Sequence, residues 1–198
     1  MPKAVRYGFL AFSLIATLSA VLFLWTANQA QHAQTLPVIG TIANFSMTDE
    51  HGQNFSSQTL TGKVWVADFI FTHCQGQCPI LSSQVMHLRQ KFDDAKTVQF
   101  VSISVDPDHD TPAALLAYAQ QFDADASQWH FLTAPLAQVQ PLMIQSFKIG
   151  TDKDPSLHST YLVLVDQQQR IRGYYDGLDQ QAVGKLFKDL KALINSRS

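Results

Sequence analysis

Cys74 and Cys78 are the only cysteines of the chain, and they stand four apart in Phe69-Ile-Phe-Thr-His-Cys74-Gln-Gly-Gln-Cys78-Pro79. An apolar run leads into the pair, and Pro79, at home in a first helical turn, follows it. Residues at i and i+4 of a helix face the same side with Cα atoms roughly 6 Å apart, inside the range a disulfide tolerates. Unpaired N–H groups at a helix start also stabilise a thiolate. Such a pair can share a soft metal ion, close a small disulfide, or cycle between the two. Redox enzymes typically use Cys-x-x-Cys, and the extra residue here weakens that reading without removing it. Two thiolates suit Cu(I), whereas a structural zinc would want four ligands. A third ligand must then come from elsewhere, most readily from a histidine.

Seven histidines are available: His32, His51, His73, His87, His109, His130 and His158. His73 adjoins Cys74, but a neighbour in extended chain points to the opposite face. His32 falls in a polar stretch, His51 in a turn, His87 inside a helix and His109 in the acidic turn Asp106-Pro-Asp-His-Asp110. His158 begins an apolar strand after the loop Thr151–Leu157 and is the favoured partner for the cysteines.

The elements that must position these residues follow from periodicity. Val64–Phe71 is a nearly continuous apolar run, as expected for a strand buried on both faces, and Val98–Val105 is expected as a second buried strand. A hairpin is expected around Asp49-Glu-His-Gly52, and a helix from Pro79 to Phe92 with Leu81, Val85 and Leu88 at helical spacing. Thr111-Pro112 opens a further helix with Thr111 as its cap. A short strand at Trp129–Leu132, a helix over Leu136–Phe147, a hairpin of His158–Val165 with Arg170–Tyr175, and an amphipathic helix from Asp179 to Ile194 complete the order. A strand running into a cysteine pair at a helix start, with a late hairpin and a final helix, is the layout of an α/β thioredoxin-like domain: a central mixed sheet flanked by helices.

Ahead of that domain, residues 8–27 carry no charge and reach roughly 30 Å as a helix, enough to span a bilayer. Lys3 and Arg6 precede the run, which places residues 1–7 in the cytoplasm and the rest across the membrane. The expected organisation is a transmembrane anchor at 8–27, a polar tether at 28–40, and one domain at 41–198. No organelle-type leader is visible, so the expected location is a bacterial inner membrane with a periplasmic domain. Removing Lys3 and Arg6 leaves 12 basic against 16 acidic residues with no block of like charge, which excludes nucleic acid as a partner. In an exported domain a structural disulfide is the ordinary use of two cysteines. A bridge closing so small a loop would constrain the unfolded chain little.

At these residues the chain resembles the Sco/SenC family of copper chaperones. The resemblance rests on Phe45-Ser-Met-Thr-Asp49, Gly62-Lys-Val-Trp-Val-Ala-Asp-Phe-Ile-Phe-Thr72 and Cys74-x-x-x-Cys78-Pro79. It extends through Val105-Asp-Pro-Asp-His-Asp-Thr-Pro112 and His158-Ser159 ahead of Tyr161-Leu-Val-Leu-Val-Asp166. It implies a thioredoxin-like domain binding one copper, as Cu(I) and also as Cu(II), through Cys74, Cys78 and His158. It further implies a role in assembling the copper A site of cytochrome c oxidase, with subunit II or another exported copper protein as partner. Thiol–disulfide exchange that keeps such exported cysteines reduced is the alternative activity. Asp106-Pro107 and Asp110-Thr111-Pro112 are expected to shape a loop and cap a helix rather than bind metal. Gln75 and Gln77 stand where family members often carry a proline.

Overall fold

A computed structural model describes residues 3–92, 97–150 and 160–195. Eight strands form one mixed sheet in the order β1-β8-β7-β4-β5-β6-β2-β3. They are β1 (Gly40–Thr41), β2 (Ser46–Asp49), β3 (Asn54–Ser56), β4 (Val64–Ile70), β5 (Val98–Ser104), β6 (Trp129–Thr133), β7 (Tyr161–Val165) and β8 (Arg170–Asp176). β4, β5 and β6 run parallel, and every other pairing is antiparallel. All seven residues of β4 and of β5 are buried, which accounts for the largely apolar run of β4 and leaves Asp68, Gln99, Ser102 and Ser104 as buried polar groups.

Alternation along β4 divides the core in two. Val64, Val66 and Ile70 pack with Leu81, Val85 and Leu88 of α2 (Gln77–Arg89), Leu115 of α3 (Pro112–Gln120), and Leu186 and Leu190 of α5 (Gln180–Asn195). Trp65, Ala67 and Phe69 pack on the other face with Val139 of α4 (Leu136–Pro141), Leu142, Met143 and Phe147. The cap expected at Thr111 is present, its hydroxyl accepting from the Ala114 N–H at 3.3 Å with Pro112 just inside the helix.

Two segments take a conformation other than the one expected. The helix expected over Leu136–Phe147 is α4 followed by a π-helical turn at Leu142–Ser146. Pro141 lies inside this segment and has no N–H to give the preceding turn, so the ladder is re-registered where it resumes. The stretch 28–40, expected as a tether, is helical to Thr35, since α1 spans Lys3–Thr35. Alanine and glutamine propagate a helix well, and the first breaker after the apolar run is Pro37. Beyond it the chain is docked rather than loose. Leu36 is buried, and Arg172 donates to the Leu36 and Pro37 carbonyls at 2.7 and 3.0 Å while its other nitrogen pairs with Asp166 at 2.9 Å.

Along α1, Phe12, Leu14, Ile15, Leu18, Val21, Leu22, Phe23 and Leu24 are exposed. Among the described residues no helix is long and apolar enough to cross a membrane, so the structure does not establish the anchor expected at 8–27.

Candidate metal centre

Parallel pairing of β4 with β5 brings their C-terminal ends to the same edge of the sheet. The loop that leaves β4 carries Thr72, His73 and Cys74, and the loop that leaves β5 carries Asp106 to Asp110. One buried carboxylate joins them. Asp110 accepts from the Thr72 N–H at 3.1 Å, from the Thr72 hydroxyl at 2.6 Å and from the Ser104 hydroxyl at 2.5 Å. The Cys74 N–H then bonds back to the Phe71 carbonyl. The expected loop-shaping role of the Asp106–Asp110 segment is thus met by Asp110, which fixes the chain immediately before the first cysteine.

Cys74 precedes α2 and Cys78 is its second residue, with Gly76 as the cap. The helix therefore starts two residues earlier than the Pro79 start expected, and it ends at Arg89 instead of Phe92. Both cysteines are free thiols and buried. The Cys78 N–H points at the Cys74 sulfur, 3.4 Å away. Burial pushes the Cys74 thiol up. The Cys78 thiol and the backbone N–H groups of Cys78, Gly76 and Gln77 bond to the same sulfur and outweigh burial, so its pKa falls below the ordinary thiol range. Cys78 is pushed up to about 12, first by burial, then by sharing its proton with Cys74. The pair is unequal: Cys74 at the helix start gives up its proton the more readily, and Cys78, the more deeply buried of the two, holds its own.

This inequality predicts the course of alkylation. Under iodoacetamide, Cys74 should label first, with a pH–rate midpoint below the free thiol's value of about 8.5. Cys78 should stay unlabelled until far more alkaline pH. Peptide mass spectrometry reads both rates, and equal labelling of the two cysteines would refute the asymmetry.

His158 lies outside the described residues. β7, which it precedes, pairs antiparallel with β4 and so begins at the edge where β4 delivers the cysteines. Thr160, just before β7, accepts from the Gly177 N–H at 2.8 Å. A Cβ on Gly177 would meet Leu81 of α2 at 2.5 Å and the Thr160 carbonyl oxygen at 3.1 Å. The close approach of these three segments requires glycine there.

The other histidines separate clearly. His51 lies 3.6 Å from Glu50, and His87 bonds the Ser83 carbonyl within α2. His130 sits in β6 against Gln99 at 2.9 Å, and burial pushes its pKa down to about 4, so it is a neutral core residue. His73 and His109 are in ring contact, with centroids 5.6 Å apart. Among the described residues no three His, Cys, Asp or Glu side chains converge on one metal position.

Sequence reasoning missed Asp68. It lies on the β4 face that packs against α2 and is fully buried, one oxygen accepting from the Ser102 hydroxyl at 2.6 Å. Its other oxygen has no partner among the described residues. Trp129 donates to the same Ser102 hydroxyl at 2.9 Å. Burial drives the Asp68 carboxyl from 3.8 to about 7. The available signal was a lone acid within an otherwise apolar seven-residue strand.

Comparison with known proteins gives a consistent result. The SCO1/SenC family model matches residues 34–195. The crystal structure of a SCO1/SenC family lipoprotein from Bacillus anthracis is 34% identical, with a TM-score of 0.72, covering 80% of this chain and 98% of that one. BsSco, a member of the Sco family of cytochrome c oxidase assembly proteins in which a disulfide switch was identified, is 26% identical at a TM-score of 0.71, covering 83% and 99%. Bradyrhizobium japonicum ScoI, solved with copper bound, is 27% identical at a TM-score of 0.59, covering 75% and 97%.

Proposed function

Because this chain belongs to the SCO1/SenC family, we propose that it is a membrane-anchored copper chaperone that binds one copper ion through Cys74, Cys78 and His158. Its cargo goes to the copper A site of cytochrome c oxidase subunit II, or to another exported copper protein, in the bacterial periplasm. The observation that carries this reading is the pair of free, buried thiols at the start of α2, on the sheet edge where β7 begins. Two thiolates make a soft donor set for Cu(I), and one imidazole makes Cu(II) acceptable as well. Both thiols must lose their protons to bind, so copper competes directly with the proton on Cys78. The copper-bound Bradyrhizobium relative, and the place of BsSco among cytochrome c oxidase assembly proteins, support the same reading.

The anchor is supported by the exposed apolar side chains of α1 and by the uncharged run 8–27 behind Lys3 and Arg6. Apolar residues facing outward in this number need a cover, and a bilayer supplies one.

A second reading is favoured by one observation. A more acidic thiol beside one that holds its proton is the arrangement of a thiol–disulfide reductant, in which the first sulfur attacks and the second resolves. Mixing the copper-loaded full chain with the reduced copper-free exported domain of subunit II, and the reduced copper-free full chain with the oxidised domain, separates the two. The chaperone reading expects copper to move into the reduced domain and its copper A spectrum to appear. Reduction of the disulfide in the oxidised domain, with no copper transfer to the reduced one, would favour the reductase and overturn the chaperone.

A further inference from the structure

His73 and His109 come from the two loops that Asp110 ties together, and both side chains are exposed. The Nδ1 of His109 lies 2.9 Å from both carboxylate oxygens of Asp106. An ionised carboxylate only accepts, so Nδ1 carries the proton, and the Nε2 lone pair of the neutral ring has no partner among the described residues. On His73, Nδ1 faces the Thr72 hydroxyl at 3.4 Å, whose own proton is committed to Asp110. That ring also turns Nδ1 toward Thr72, and its Nε2 has no partner among the described residues. A carboxylate or hydroxyl behind one nitrogen, with the other nitrogen free, is how metal-ligating histidines are oriented.

The ring spacing fits a shared ion. An imidazole nitrogen binds at about 2.0 Å, so the ion lies about 3.2 Å from each ring centre, and two rings on one ion at tetrahedral to trigonal angles have centres about 5–6 Å apart. The observed separation is 5.6 Å.

We propose that His73 and His109 form a second, surface metal site whose two Nε2 atoms hold one borderline ion, Cu(II) above its neighbours in the first row, with Asp106 orienting His109. Imidazole donors and the Irving–Williams order select copper among the common divalent ions. Because His73 is the residue before Cys74, an ion held there stands at the rim of the cysteine site. Its use as a copper waypoint rests on the function proposed above; the binding itself does not. Among the described residues His51, His87 and His130 have no second ring placed to share a metal with them in this way.

The test uses the full chain carrying C74A and C78A, with C74S and C78S as a second background should the first fail to fold. Cu(II) binding is followed by electron paramagnetic resonance and by competition with a chelator. The parent chain should take up one Cu(II) with nitrogen coupling. Adding His73→Ala and His109→Ala should lower the affinity at least tenfold and remove that coupling, and Asp106→Asn should cost about 10–100-fold. Unchanged affinity and coupling in the double-histidine variant, or no Cu(II) uptake by the parent, would overturn the site. Cu(I) uptake by the reduced wild-type thiols is measured separately, so failure of the cysteine site and failure of this one are told apart.

Discussion

Asp68→Asn is expected to leave the domain more stable than the wild type by as much as about 4 kcal/mol at pH 8. The excess should shrink towards zero near pH 4. In the folded chain burial raises this carboxyl from 3.8 to about 7, while the unfolded chain keeps the ordinary value. A group raised on folding contributes stability that is fully present below its unfolded pKa and is lost as pH rises through its folded pKa. The loss therefore falls between about pH 4 and pH 7, with the wild type weaker on the alkaline side. Asparagine keeps an acceptor for the Ser102 hydroxyl and has no charge to bury. Urea unfolding at pH 4.5, 6 and 8 measures the effect, and parallel pH profiles for the two proteins would rule it out. Glu50, also raised by burial first, adds the same slope to both and cancels in the comparison.

The second large effect concerns the metal. Cys78→Ser should weaken Cu(I) binding by more than ~100-fold, beyond the upper range for loss of an orienting partner behind a ligand. Cys74→Ser should do the same, although the two thiols differ. Cys74 brings a thiol held below its ordinary pKa range, whereas Cys78 must surrender a proton held up to about 12. Wild-type affinity should accordingly climb with pH well past neutrality, a dependence that Cys78→Ser removes along with the binding. Competition with a Cu(I) chelator between pH 6 and 9 follows both, and a serine variant with wild-type affinity would take that cysteine out of the site.

Much of this architecture is legible in residue pattern, for identifiable reasons. The nearly continuous apolar run at 64–71 and the β-branched, aromatic-rich segment at 98–105 read as central strands, and Thr111-Pro112 carries its own cap chemistry. The cysteine pair declares itself by spacing and by its place between a strand and a helix. What escapes depends on register across the sheet. Alternation in an extended strand would turn His73 away from Cys74, yet β4 ends at Ile70 and the residues beyond it turn. Its contact with His109 exists only because β4 and β5 run parallel and end together. Asp68 is hidden by the same strand reading that makes β4 apolar, since its Ser102 partner lies 34 residues away on β5. The π-turn after Pro141 and the docking of Leu36 through Arg172 likewise follow from tertiary contacts that no local window contains.

The central claim is a copper site built from two thiolates and one imidazole. The most direct measurement is X-ray absorption on the full chain, reduced and loaded with Cu(I), with metal content determined on the same sample. One copper per chain with two sulfur neighbours and one nitrogen, the nitrogen lost in His158→Ala, is the expected result. A chain that retains no copper under reducing conditions, or a sulfur-only shell unchanged by His158→Ala, would contradict it.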